Sequence, residues 1–170
     1  MFFLFPIRDE YRVKRFPVVV ACLIALNAAV YLAFNFRPDY RSVVERFGFV
    51  AAAPSFRTAI TSQFLHGGLL HLGFNMWYLW LLGDNIEDRW GSIPFLLFYL
   101  GTGVFAAFLY GTLIPARHAG IPMIGASGAI AGILGAYSVL FPRSRITFRY
   151  FVFFILFFRA GEFEVFAFLW

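Results

Sequence analysis

Four long apolar runs set the terms for this chain, at about residues 16–36, 67–83, 93–114 and 125–141, and the segments between them carry most of the charge. A helix needs about 20 predominantly apolar residues to cross a bilayer, and each run is of that order. A further apolar segment, 148–170, is interrupted by Arg159, Gly161, Glu162 and Glu164 and reads as an incomplete fifth span. Hydrophobic residues make up 61% of the 170 and charged residues 14%, an apolar surplus that a soluble domain of this length cannot bury. The expected class is therefore an all-α integral membrane protein: a polytopic helix bundle forming one domain over 1–170, with about four full spans and the incomplete fifth. A signal-peptide core is about 7–15 residues, so the first run, broken only by Asn27, reads as an uncleaved span.

The net charge of +5 gathers beside the apolar runs, which suits membrane orientation and excludes a nucleic-acid footprint. With the N-terminus inside, Arg8, Arg12, Lys14, Arg15, Arg89, Arg143, Arg145 and Arg149 fall on the inner side. Arg37, Arg41, Arg46, Arg57 and Arg117 fall outside. The bias predicts a cytoplasmic N-terminus and a multi-pass protein of the plasma (inner) membrane. Runs two and four then both enter from the outer face. The single cysteine, Cys22, permits no intrachain disulfide.

In the long first loop, Tyr40, Val43, Val44 and Phe47 recur at helical spacing opposite Arg41, Glu45 and Arg46, with Asp39 placed to cap the start and Gly48 to end it. This predicts an interfacial helix. A second short segment follows near 56–64. Residues 84–91, DNIEDRWG, read as an acidic loop.

Two runs carry residues suited to chemistry. The fourth begins GASGAIAGILGA, with small residues four apart at Gly128–Gly132 and Ala131–Gly135, a pattern that lets helix backbones approach closely. G-x-S-G by itself supports packing ahead of catalysis. Yet Ser127 lies at a glycine-flanked helix start, where unpaired N–H groups and the positive dipole end suit an oxyanion. In the second run, FLHGGLLHLGFN places His71 and Asn75 four apart on one helix face, with His66 at the glycine-rich start. Polar side chains within a span usually face the protein interior and mark function. Three roles are open: interhelical hydrogen bonds, hydrogen-bond donation to a developing oxyanion, and a metal site. Two histidines and an asparagine without a nearby carboxylate or cysteine make a poor metal set, so neither metal nor other cofactor is expected. A transporter fragment using His71 as a proton site is disfavoured by the scarcity of intramembrane carboxylates.

Together, H-x4-H-x3-N at His66, His71 and Asn75, E-x-x-x-G at Glu87 and Gly91, and G-x-S-G at Gly125–Gly128 resemble the rhomboid family of intramembrane serine proteases, over nearly the whole chain. The resemblance implies a helical bundle around a water-filled cavity open to the outside. It implies Ser127 as nucleophile, His71 and Asn75 with the Ser127 N–H as the oxyanion hole, and His66 supporting the site by hydrogen bonding. The implied substrates are transmembrane segments of other proteins, in the bilayer. A Trp-Arg pair common in the family's first loop is Phe56–Arg57 here. The family's general base is a histidine early in its sixth span; this sequence has no histidine after His118. The expectation is a broken dyad, from a fragment, a truncated reading frame or a non-catalytic relative that binds client transmembrane helices.

Overall fold

The computed structural model describes residues 2–11, 13–154 and 157–167. Among them the order is β1 (Phe2–Asp9), α1 (Val18–Phe34), α2 (Tyr40–Phe47), α3 (Phe56–Thr61), α4 (Leu69–Trp90), α5 (Ser92–Leu113), α6 (Ser127–Leu140), β2 (Arg145–Phe154) and β3 (Phe157–Phe166). Short 3-10 turns lie at Ser62–Phe64 and Ala116–His118. The 22-residue α5 is long and apolar enough to cross a membrane; α1 and α6 are shorter apolar helices.

Helices α1, α4, α5 and α6 share one core, with Leu79, Leu82, Ile86, Phe95, Ile133 and Tyr137 fully buried. Their outer surfaces are apolar too, with Leu32, Trp80, Leu97, Phe105 and Val139 exposed, as lipid-facing helices require. The α5–α6 contact rests on missing side chains. A Cβ on Gly128 would lie 2.6 Å from the Ala106 Cβ, and one on Gly132 would lie 2.6 Å from the Thr102 Cβ. Gly135 has nothing within 4 Å, so the small-residue stripe is only partly a contact.

At one end of the bundle, α1 begins with no side-chain cap of its own. Glu87 of α4 supplies one from 67 and 68 residues away. Its two carboxylate oxygens accept the Val19 and Val20 N–H groups, each at 2.9 Å, and Oε1 also accepts the Ser92 hydroxyl at 2.6 Å. Buried Glu87 thus joins α1, α4 and α5 while meeting the positive end of the α1 dipole. Gly91, at φ +87°, makes the turn between α4 and α5.

At the other end, the first loop is stitched to the segment before α6. Phe49 and Met123 exchange backbone hydrogen bonds of 3.0 and 2.8 Å, and the Gly125 N–H donates to the Ser62 carbonyl at 2.8 Å. The expected helix over the loop is α2, ending at Gly48, where a Cβ would lie 2.6 Å from the Val44 carbonyl oxygen. Asp39 does not cap it with its side chain; the Arg37 guanidinium takes that carboxylate at 2.9 Å.

Three expectations are corrected. Residues 84–91 are not a loop, because α4 runs on to Trp90. Two of their polar side chains turn inward: Glu87, and Asn85, which donates to the Asp9 carboxylate at 2.6 Å. The segment 148–170 is not an incomplete span over its described part, and the chain is not all-α. Strands β1, β2 and β3 form an antiparallel sheet in that order, with Asp9 opposite Ile146 and Arg149 opposite Glu162. Charges that lipid would reject find partners across strands, Arg149 with Glu162 and Arg145 with Glu164. The β-branched and aromatic residues of RITFRYFV suit a pleated surface that buries Ile146 and Phe148. The sheet is pinned to the bundle by the Trp77 indole N–H, which donates to the Pro6 carbonyl at 2.7 Å, and by the Tyr137 hydroxyl, which donates to Asp9 at 2.7 Å.

Candidate active site

Ser127 is the first residue of α6 and is exposed. The first hydrogen bond in the helix runs from the Ile130 N–H to the Ala126 carbonyl at 3.0 Å. The N–H groups of 127, 128 and 129 therefore lie outside the ladder, at the positive end of the helix. Ser127 shares a cleft of about 410 Å³ with Phe74, Asn75, Tyr78, Ile130, Ala131 and Leu134. Asn75 is buried at its wall and donates one Nδ2 hydrogen to the His71 carbonyl at 2.7 Å. An amide nitrogen has two hydrogens, so a second donor remains.

Gly125 brings His71 to this turn. Its φ of +121° is a conformation L side chains rarely adopt, and a Cβ there would lie 2.7 Å from His71 Nε2. The imidazole thus rests on the backbone two residues before Ser127. His66 packs edge-on against His71, with ring centroids 5.1 Å apart. The contact between His66 and His71 is ring to ring. His118 lies on the exposed turn Ala116–His118 of the preceding loop. No cluster of three metal-ligating side chains occurs among the described residues.

Burial, and secondarily the neighbouring His71, lowers the His66 pKa from the ordinary 6.5 to about 4. The ring is neutral near pH 7 and must be charged in acid. Because the folded value lies below the unfolded one, its stability contribution is complete above pH 6.5 and is lost as pH falls toward 4. His66→Gln is expected to flatten that acid limb in thermal unfolding followed from pH 7.5 to 4.5. An acid limb identical in both proteins would contradict this.

The sequence patterns missed the parts that hold the site. The Ser62 carbonyl receives Gly125, and Tyr40 of α2 donates its hydroxyl to the His66 carbonyl at 2.9 Å. Backbone acceptors carry no residue signature. The one available signal was a glycine immediately before Ala-Ser.

These features define a helical membrane protein with a serine at a helix start facing an asparagine of a neighbouring helix across a cleft. Residues 53–169 match the Rhomboid domain, and the chain belongs to the rhomboid family. It is 42% identical over 77 residues to Rhomboid protease GluP of Bacillus subtilis, covering 45% of this chain and 14% of that protein. It is 39% identical over 90 residues to Rhomboid protein 1, mitochondrial, of Saccharomyces cerevisiae, covering 51% and 26%. It is 29% identical over 130 residues to the human Presenilin-associated rhomboid-like protein, mitochondrial, covering 75% and 34%. The chain thus spans at most about a third of these relatives.

Proposed function

We propose that this chain supplies the nucleophile and oxyanion half of an intramembrane serine endopeptidase acting on transmembrane segments of other proteins. The observation that carries the reading is the shared cleft: Ser127 and Asn75 face the same space, beside the free N–H groups that open α6. In this reading Ser127 Oγ attacks the scissile carbonyl carbon. The carbonyl oxygen, now an oxyanion, accepts from the Ser127 N–H and from Asn75, with His71 closing the turn. One such donor is worth about 2.7–4 kcal/mol of barrier. Phe74 walls both this cleft and an apolar groove between α4 and the sheet, so an apolar segment can approach from the side. We place four spans in the bilayer, α2 at its interface, the N-terminus in the cytoplasm and the Ser127 end in the outer leaflet of a plasma (inner) membrane. The charge bias supports that orientation.

Attack also needs a base to take the Oγ proton. His66 is buried, His71 rests on Gly125 and His118 sits on an exposed loop, so we assign none of them that role. The test is chemical rescue. Cleavage of a model transmembrane substrate by the 170-residue protein is expected to be slow and to rise with added imidazole. Ser127→Ala should remove the rescued rate, and Asn75→Ala should lower kcat more than it raises KM. Rescue that persists in folded Ser127→Ala would sink the nucleophile assignment. Absence of any rescue, with the substrate still bound, would favour a non-catalytic relative that holds client helices.

A further inference from the structure

On the outer surface, away from the Ser127 cleft, a narrow groove of about 260 Å³ runs between α1, α2 and the turn before α4. Leu26, Val30 and Phe34 form one wall, four residues apart on a single helix face. Val43 and Phe47 of α2 form the opposite wall, and Phe64 and Leu65 the floor. From Phe34 to Leu26 the wall extends about 12 Å along α1, away from the level of α2. The groove is almost wholly apolar, but its rim is cationic. The Arg46 and Arg57 guanidinium groups both lie 5.4 Å from the centre of the Phe47 ring, and Arg37 lies 5.9 Å from that of Phe34. Arg37 is paired with Asp39, and Arg41 with Glu45. Arg46 and Arg57, which come from different helices, have no carboxylate partner among the described residues. Two unneutralised guanidinium groups over the mouth of an apolar slot are complementary to one kind of molecule, an anion with a hydrocarbon tail.

We propose that this groove binds one anionic glycerophospholipid, with its phosphodiester between Arg46 and Arg57 and an acyl chain along Leu26, Val30 and Phe34. The polarity is self-consistent. The charged rim sits at the level of the interfacial helix, and the slot descends along α1, the direction a chain takes into a leaflet. Occupancy gives both guanidinium groups a counter-ion and fills apolar space against the segment that leads to His66. This inference does not depend on the protease reading.

The test is native mass spectrometry of the full protein, purified in detergent and titrated with phosphatidylglycerol or with phosphatidylcholine of the same acyl chains. One phosphatidylglycerol is expected to be retained with roughly twenty-five-fold preference, since each of the two arginines near the headgroup contributes about a factor of five. Arg46→Gln with Arg57→Gln should reduce retention to the phosphatidylcholine level, while Arg46→Lys with Arg57→Lys should keep part of the preference. Val30→Trp, which fills the slot and leaves both arginines, should lower retention of both lipids. Equal retention of the two lipids by the unaltered protein would overturn the proposal, as would full phosphatidylglycerol preference in the folded double-glutamine variant. Equally effective competition by chain-free glycerophosphoglycerol would overturn it as well, because it would reduce the feature to a surface anion site.

Discussion

Glu87→Gln is expected to destabilise the protein by about 3–5 kcal/mol, the largest effect of any near-isosteric change in the bundle. The buried carboxylate accepts three donors, from Val19, Val20 and Ser92, on two oxygens. An amide of the same shape offers one oxygen, and its NH2 would face backbone N–H groups that have no alternative acceptor inside the helix. The start of α1 would then be uncapped in an apolar environment, where an unsatisfied backbone group is most costly. Ser92→Ala removes only one donor and should cost about 1 kcal/mol. Thermal unfolding of both variants in detergent measures the difference. Equal, small shifts would mean that the carboxylate is not what holds α1 to α4 and α5.

Gly132→Leu is expected to cost at least 3 kcal/mol or prevent folding, whereas Gly135→Leu should be close to neutral. The first Cβ alone would already lie 2.6 Å from Thr102, a side chain fixed by its own hydroxyl bond to the Phe98 carbonyl at 2.8 Å. Relief therefore requires α5 and α6 to separate along their whole contact, including the approach of Gly128 to Ala106. At Gly135 the space is open. The comparison of the two variants by unfolding midpoint isolates packing from propensity, since both replace glycine by leucine in the same helix. Similar losses in both would show that α6 is sensitive to leucine for reasons other than this contact.

The helices were readable because their signal is local. A run of apolar residues of membrane length needs a helix to satisfy its own backbone in lipid, whatever lies beside it. Residues 93–114 became the helix Ser92–Leu113, long and apolar enough to cross a membrane, while 125–141 became the shorter helix Ser127–Leu140. The same reasoning failed at 84–91. Asp and Asn look like loop residues until a partner is supplied, and here the partners are the backbone of α1 and the carboxylate of Asp9. It failed again after Arg145, where charges that interrupt a span become cross-strand pairs once two strands are laid side by side.

For the site, the sequence by itself determined which residues are suited to the chemistry: a serine among glycines, and a histidine and asparagine on one helix face. It also determined that they belong to a membrane protein, because composition leaves no other way to hide so much apolar surface. Only the tertiary structure decided which of them meet. His71 touches the Ser127 turn because Gly125 takes a φ of +121° and is held by the Ser62 carbonyl, an acceptor that every residue type possesses. Likewise, only the fold showed which glycines are contacts and which are merely small. Contacts between residues tens of positions apart depend on chain geometry, and a linear pattern contains residue type and spacing but not that geometry.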